Sequence, residues 1–203
     1  MMPLPYSFYD HSTLIVARRL IGKVLVRRRG RQQWSGRIVE VEAYIGEQDP
    51  ACHAFRGLTP RTRVMYGPPG HAYVYFTYGM HFMLNVVTEK EGYPAAVLIR
   101  AVEPLAGFNG LHPRPASGPG KLCKVMRIDK QLNGISLQSE KLWIGRDDPS
   151  GHKRSEVRWS SRVGISAGSD RLWRAYLFGN PFVSRKSNPE DARSPEPVLL
   201  SYD

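Results

Sequence analysis

A chain of 203 residues, 41% of them apolar and 23% charged, has enough material for one full core, which excludes a disordered or fibrous protein. Its 29 Lys and Arg against 18 Asp and Glu leave a formal charge of +11, so the expected partner is a polyanion or an anionic surface. No segment approaches the roughly 18 consecutive apolar residues of a membrane helix. The two cysteines, Cys52 and Cys123, are too few for a disulfide framework and lack paired zinc spacing.

The first element is a short helix through Leu14, Ala17, Leu20 and Ile21, capped by Ser12 or Thr13 and stopped at Gly22. Lys23 to Arg27 and Trp34 to Tyr44 alternate and form a hairpin around Gly30. In the second strand the alternation puts Val39, Val41 and Ala43 on the core face and Glu40, Glu42 and Tyr44 together on the other. Residues 46–70 are rich in Gly, Pro and charge, and a connection that long serves a site or is mobile. His71 to Thr77 and Met80 to Thr88 form a second hairpin that tightens near Tyr78-Gly79, and Ala95 to Val102 adds a strand after the turn at Gly92-Tyr93-Pro94. Phe108 to Gly120 reads as loop, and a helix follows with Leu122, Val125, Met126 and Ile128 inward. The remainder holds one strand, Leu172 to Leu177, and a tail from about residue 185 whose Ser, Pro and charge content predicts poor order.

Positive charge is concentrated. Residues 1–39 carry eight Lys or Arg and the single acid Asp10, and a second basic cluster runs through Arg114, Lys121, Lys124, Arg127 and Lys130. A solvated face accounts for either cluster alone, whereas both together, with aromatics between them, point to nucleic acid. Within the tyrosine-rich hairpin Tyr73 and Tyr75 share a face, and base rates make Tyr73 a packing residue. Tyr78, beside a glycine at a hairpin tip, has few neighbours to cover it. Such a ring can push between base pairs and fill the gap left by an extruded nucleotide.

These segments resemble the alkyladenine (3-methyladenine) DNA glycosylases of the single-domain mammalian and bacterial type. The landmarks are Glu42-Ala43-Tyr44, His53, Thr59-Pro60-Arg61, Tyr73-Val74-Tyr75, Tyr78-Gly79-Met80, Asn85, Arg100-Ala101-Val102-Glu103-Pro104, Gly118-Pro119-Gly120-Lys121-Leu122-Cys123 and Arg162-Val163-Gly164. The resemblance implies a single α+β domain: a curved antiparallel sheet, peripheral helices and a protruding β-hairpin. It implies a monofunctional glycosylase that flips alkylated or deaminated purines out of double-stranded DNA and hydrolyses the N-glycosidic bond. Glu42 would activate the water with help from Arg100. Tyr44, His53 and Tyr75 would hold the flipped base, and Asn85 would crowd the exocyclic amine of guanine. Tyr78 and Met80 would intercalate, and Arg61 and Lys121 would contact the DNA backbone. Neither cofactor nor metal is implied, and the expected state is a cytoplasmic monomer away from membranes, on the nucleoid in a bacterium.

Spacing alone does not separate Glu40 from Glu42; only the motif match does. Gly118-Pro119-Gly120-Lys121 faintly resembles a phosphate loop, but Pro115 and Leu122 stand where glycine and a hydroxyl residue belong. His81, Thr62 and Met83-Leu84 depart from the family pattern and bear on substrate ranking. Two other readings compete: a non-catalytic reader of DNA or RNA would use the same basic and aromatic residues, and a deaminase would need a zinc motif that this sequence lacks.

Overall fold

The computed structural model describes residues 1–77, 79–110, 113–146 and 157–195. Among the described residues eight antiparallel strands form one curled sheet: β1 (Val24–Arg29), β2 (Gln32–Ile45), β3 (Ala72–Thr77), β4 (His81–Val87), β5 (Ala95–Ala106), β6 (Leu142–Gly145), β7 (Val157–Ser160) and β8 (Arg174–Leu177). The order is β3-β4-β5-β2-β1-β6, and β8 joins β2 to β7. Two helices, α1 (Thr13–Leu20) and α2 (Pro119–Val125), complete a single α+β domain, as the resemblance implied.

The first helix starts at Thr13 after Ser12, but neither side chain closes it in the expected way. Its first amide donates to Glu89 Oε1 at 2.6 Å and the Thr13 hydroxyl donates to the same oxygen at 2.7 Å, so a carboxylate distant in sequence meets the positive end of the helix. Leu14, Val16, Ala17 and Leu20 then pack into the main core with Ile38, Val41 and Ala43 of β2 and Val97, Ile99 and Val102 of β5.

The long strand β2 changes partner midway. Its first half pairs with β1, Glu40 to Glu42 pair with β8, and β5 runs along most of the opposite edge. The β2/β5 ladder slips twice around Glu40↔Ala101: Val39 is extra on β2 and Arg100 is extra on β5. Each bulge reverses the alternation beyond it. Val39 therefore does not share a face with Val41 and Ala43, as strict alternation predicted. Ile38 takes the core position, and Val39 joins Ala101, Tyr176 and Leu177 in a separate apolar cluster.

The region after residue 136 holds more strand than the sequence suggested. Both β6 and β7 are only four residues long, too short to show a period, and β8 begins at Arg174 rather than Leu172. Beyond β8 the chain stays attached to the sheet as far as Ala192. Tyr176 donates to Asp191 Oδ2 at 2.6 Å, and Ala192 exchanges backbone hydrogen bonds with Trp159.

Candidate active site

One face of β2, β3, β4 and β5 ends in a cavity of ≈ 340 Å³, lined by Tyr44, His53, Tyr73, Tyr75, Asn85, Leu98, Arg100 and Val163 among others. The strands bring four of the expected base-holding residues together: Tyr44 from β2, Tyr75 from β3, Asn85 from β4, and His53 from a short 3-10 turn in the 46–70 connection.

Glu42 lies directly behind this lining, fully buried. Its Oε1 accepts the Val163 amide at 2.7 Å and stands 3.2 Å from Arg100 Nη1, while its Oε2 accepts the Tyr44 hydroxyl at 2.9 Å. All three donors belong to residues of the cavity wall. Glu42 is thus one residue away from the space where a ligand would sit. Burial, and then the Glu42 charge, push the Tyr44 phenol well above its ordinary range, so it stays protonated and donates.

Glu40 points the same way as Glu42, as the alternation predicted, but its oxygens are committed. Oε1 accepts Arg100 Nε at 2.9 Å, Arg174 Nε at 2.8 Å and the Ser184 hydroxyl at 2.9 Å, and Oε2 accepts the Ser184 amide. Burial raises the Glu40 pKa, but Arg100 and Arg174 outweigh it and hold the carboxyl below the usual value. Burial likewise pulls Arg100 down, and Glu42 and then Glu40 outweigh that, keeping it charged. The bulge that leaves Arg100 unpaired on β5 lets one guanidinium reach both acids.

At the mouth, Arg61 lies over the Tyr75 ring at 5.1 Å and its Nη2 donates to His53 Nε2 at 3.3 Å. Because a guanidinium can only donate, His53 Nε2 carries no proton, and Nδ1–H points to the Tyr73 hydroxyl at 2.9 Å. Burial first, and the Arg61 charge second, push the imidazole down to about 4. Tyr73, expected only to pack, also lines the cavity and fixes the His53 ring. Asn85 Nδ2 donates to the carbonyl of its cross-strand partner Tyr73 at 3.1 Å, which sets the amide plane in the wall.

Residues that depart from the family pattern sit at the same end. Met83 is part of the cavity wall. Thr62 is buried and its hydroxyl ties Thr59 N and Gly57 O, bracing the loop that carries His53 and Arg61. His81 packs so closely on Gly120 that a Cβ there would stand 2.9 Å from His81 Cγ, so glycine lets the start of α2 close on the hairpin. Lys121 is exposed on α2, two residues from the cavity residue Pro119, and Met80 is 68% exposed beside the hairpin tip. Tyr78, assigned as the intercalating wedge, lies outside the described residues.

Two features of the site had no assigned role in the sequence. Arg162 and Asp49 form a buried bidentate pair; Arg162 also donates to Ala43 O at 2.9 Å, and its guanidinium lies 4.7 Å from the Tyr44 ring centroid. Ser184 joins the acid cluster from the C-terminal segment. The Arg162-Val163-Gly164 landmark marked the first without explaining it.

Comparison with known proteins gives the family. The family model described as "Methylpurine-DNA glycosylase (MPG)" matches residues 7–181. A protein of Methanocella arvoryzae named "Putative 3-methyladenine DNA glycosylase" is 50% identical over 200 residues, covering 92% of this chain and 98% of its own. Proteins of the same name from Legionella pneumophila (strain Lens) and Chlorobaculum tepidum are 46% and 40% identical, each over 91% of this chain and 100% and 92% of their own. With a family model matching most of its length, the chain belongs to the methylpurine-DNA glycosylase family and is on that ground a DNA glycosylase, a hydrolase of N-glycosyl bonds in DNA repair.

Proposed function

We propose that the protein is a monofunctional glycosylase that takes an alkylated or deaminated purine (3-methyladenine, hypoxanthine or ethenoadenine type) out of double-stranded DNA and hydrolyses its bond to deoxyribose. The observation that carries this reading is the Glu42 carboxylate, held by Val163 N, Arg100 and Tyr44 immediately behind a cavity walled by Tyr44, His53 and Tyr75. Flat rings can stack an extruded base, at about 1 to 3 kcal/mol per base, comparable with the few kcal/mol that unstacking costs.

As the C1′–N bond breaks, its electron pair leaves with the base and positive charge develops on the sugar. A carboxylate nearby stabilises that charge and takes the proton of the attacking water, leaving an abasic site. Glu42 Oε2 is the oxygen that would meet the water, sharing it with the Tyr44 hydroxyl or exchanging one for the other. Arg100 would steady both. Glu40 is unsuited to the role because two arginines and Ser184 already occupy its oxygens. A neutral lesion needs a proton on its ring to leave, and the burial and the Arg61 charge that push His53 down to about 4 favour its uncharged form, which argues against it as that acid. Among the described residues no lysine lines the cavity, which supports release of the base without cleavage of the strand. Asn85 in the wall would crowd the exocyclic amine of guanine, so selectivity rests partly on exclusion. Tyr78 and Met80 would enter the stack, with Arg61 and Lys121 on phosphates, in a cytoplasmic monomer.

The test is incubation with duplex oligonucleotides bearing hypoxanthine, ethenoadenine or 3-methyladenine, followed by alkali to reveal abasic sites. The wild type should release at least one of these bases, and Glu42→Gln should lose roughly 10² to 10⁴ in rate while still binding the duplex. No release from any duplex sinks the reading.

A further inference from the structure

We propose that Ser184 and Glu40 act together as positioning residues that clamp Arg100 in the orientation needed to serve Glu42; the inference rests on Glu42 being the base. Ser184 sits on the Glu40–Arg100 pair itself. Its hydroxyl accepts from Arg100 Nη2 at 3.2 Å and donates to Glu40 Oε1 at 2.9 Å, and its amide holds the other Glu40 oxygen.

The charges form an alternating chain, Glu42, Arg100, Glu40, Arg174, all buried. Arg100 divides its donors: Nε faces Glu40, Nη1 faces Glu42 and Nη2 faces Ser184. A planar guanidinium with all three nitrogens engaged cannot rotate about its stem, so the direction of Nη1 toward Glu42 is set by partners on its other edges. Glu40 is pinned by Arg174 at 2.8 Å, and the backbone before Ser184 is pinned by Arg114, which donates to the Val183 carbonyl. Tyr176 and Asp191 fasten the segment that follows. Ser184 also lies beyond residues 7–181, so its half of the clamp is supplied by a segment that the family model does not reach, while Glu40 lies within it.

The experiment uses the full chain and single-turnover release of hypoxanthine from a duplex oligonucleotide, read beside duplex affinity and thermal unfolding. Ser184→Ala keeps the amide bond to Glu40 and leaves no buried charge unpaired, so it should fold. Its rate should fall about tenfold, the loss of a hydrogen bond to charged groups, with affinity within about twofold of wild type. Arg100→Ala and the double variant Arg100→Ala/Ser184→Ala should be equally slow, because the hydroxyl acts only through the guanidinium. An unchanged Ser184→Ala rate, or a further loss in the double variant, overturns the clamp. So does a lower rate matched by an equal loss of affinity, the mark of general loosening. Glu42→Gln run in parallel separates the two readings: if it abolishes release and Ser184→Ala changes nothing, only the clamp fails. If Glu42→Gln releases base normally, the assignment of the base fails first.

Discussion

Arg162 and Asp49 meet in a doubly hydrogen-bonded pair with no exposed surface, Nη1 to Oδ2 at 2.6 Å and Nη2 to Oδ1 at 2.8 Å. The same guanidinium lies beside the Tyr44 ring and holds Ala43 O, and the next residue, Val163, gives its amide to Glu42. One ion pair therefore sets both a cavity ring and a donor to the carboxylate.

Breaking that pair should be costly. Arg162→Ala leaves the buried Asp49 carboxylate with only Arg171 at 3.9 Å and the amides of Ile45 and Ala51, and the expected loss of stability is about 3 to 5 kcal/mol, measured by urea unfolding. Arg162→Lys keeps the charge but loses the fork that matches two oxygens, so it should also lose stability. A Lys variant as stable as wild type would remove the geometric argument.

Tyr44 contributes a ring and a hydroxyl that can be separated. Tyr44→Phe keeps the ring on the cavity wall and removes the 2.9 Å bond to Glu42 Oε2, leaving Val163 N and Arg100 to hold the carboxylate. Single-turnover release should slow by about tenfold, the lower end of what one hydrogen bond to a charged group is worth, because two donors remain. Tyr44→Ala, which also removes the stacking surface, should slow it far more.

His53 makes stability depend on pH in a predictable direction. Its folded-state value of about 4 lies below the ordinary 6.5, so between these limits the unfolded chain takes up a proton that the folded chain refuses. The His53 contribution should leave stability flat above about pH 6.5, lower it as pH falls toward 4, and level off below that. In His53→Gln this pH-dependent component should vanish. An NMR titration of the imidazole in Arg61→Ala should show a pKa higher than in the wild type, because the second cause of the depression is gone.

The start of α1 depends on a residue in the bend that follows β4. Glu89→Ala removes the acceptor for the Thr13 amide and hydroxyl. Expected destabilisation is about 1 to 3 kcal/mol, with duplex affinity unaltered, measured by chemical denaturation and binding in parallel.

By itself the sequence determined the alternating strands, the shared face of Glu40, Glu42 and Tyr44, and the family through its ordered motifs. These depend on neighbours one or two residues apart, and strand pleating makes that period visible. Only the tertiary structure decided how the two acids differ, because Glu40 is occupied by Arg100, Arg174 and Ser184 from three distant segments while all three donors to Glu42 belong to the cavity wall. It also decided the bulges at Val39 and Arg100, since both faces of β2 and β5 are covered and the local pattern does not mark where the register slips. Strands β6 and β7, four residues each, exist through pairing with β1 and β8. The cavity itself is made where β2, β3, β4 and β5 meet the 46–70 connection, the start of α2 and residues 163–165, and long-range pairing leaves no periodic trace in any one of them.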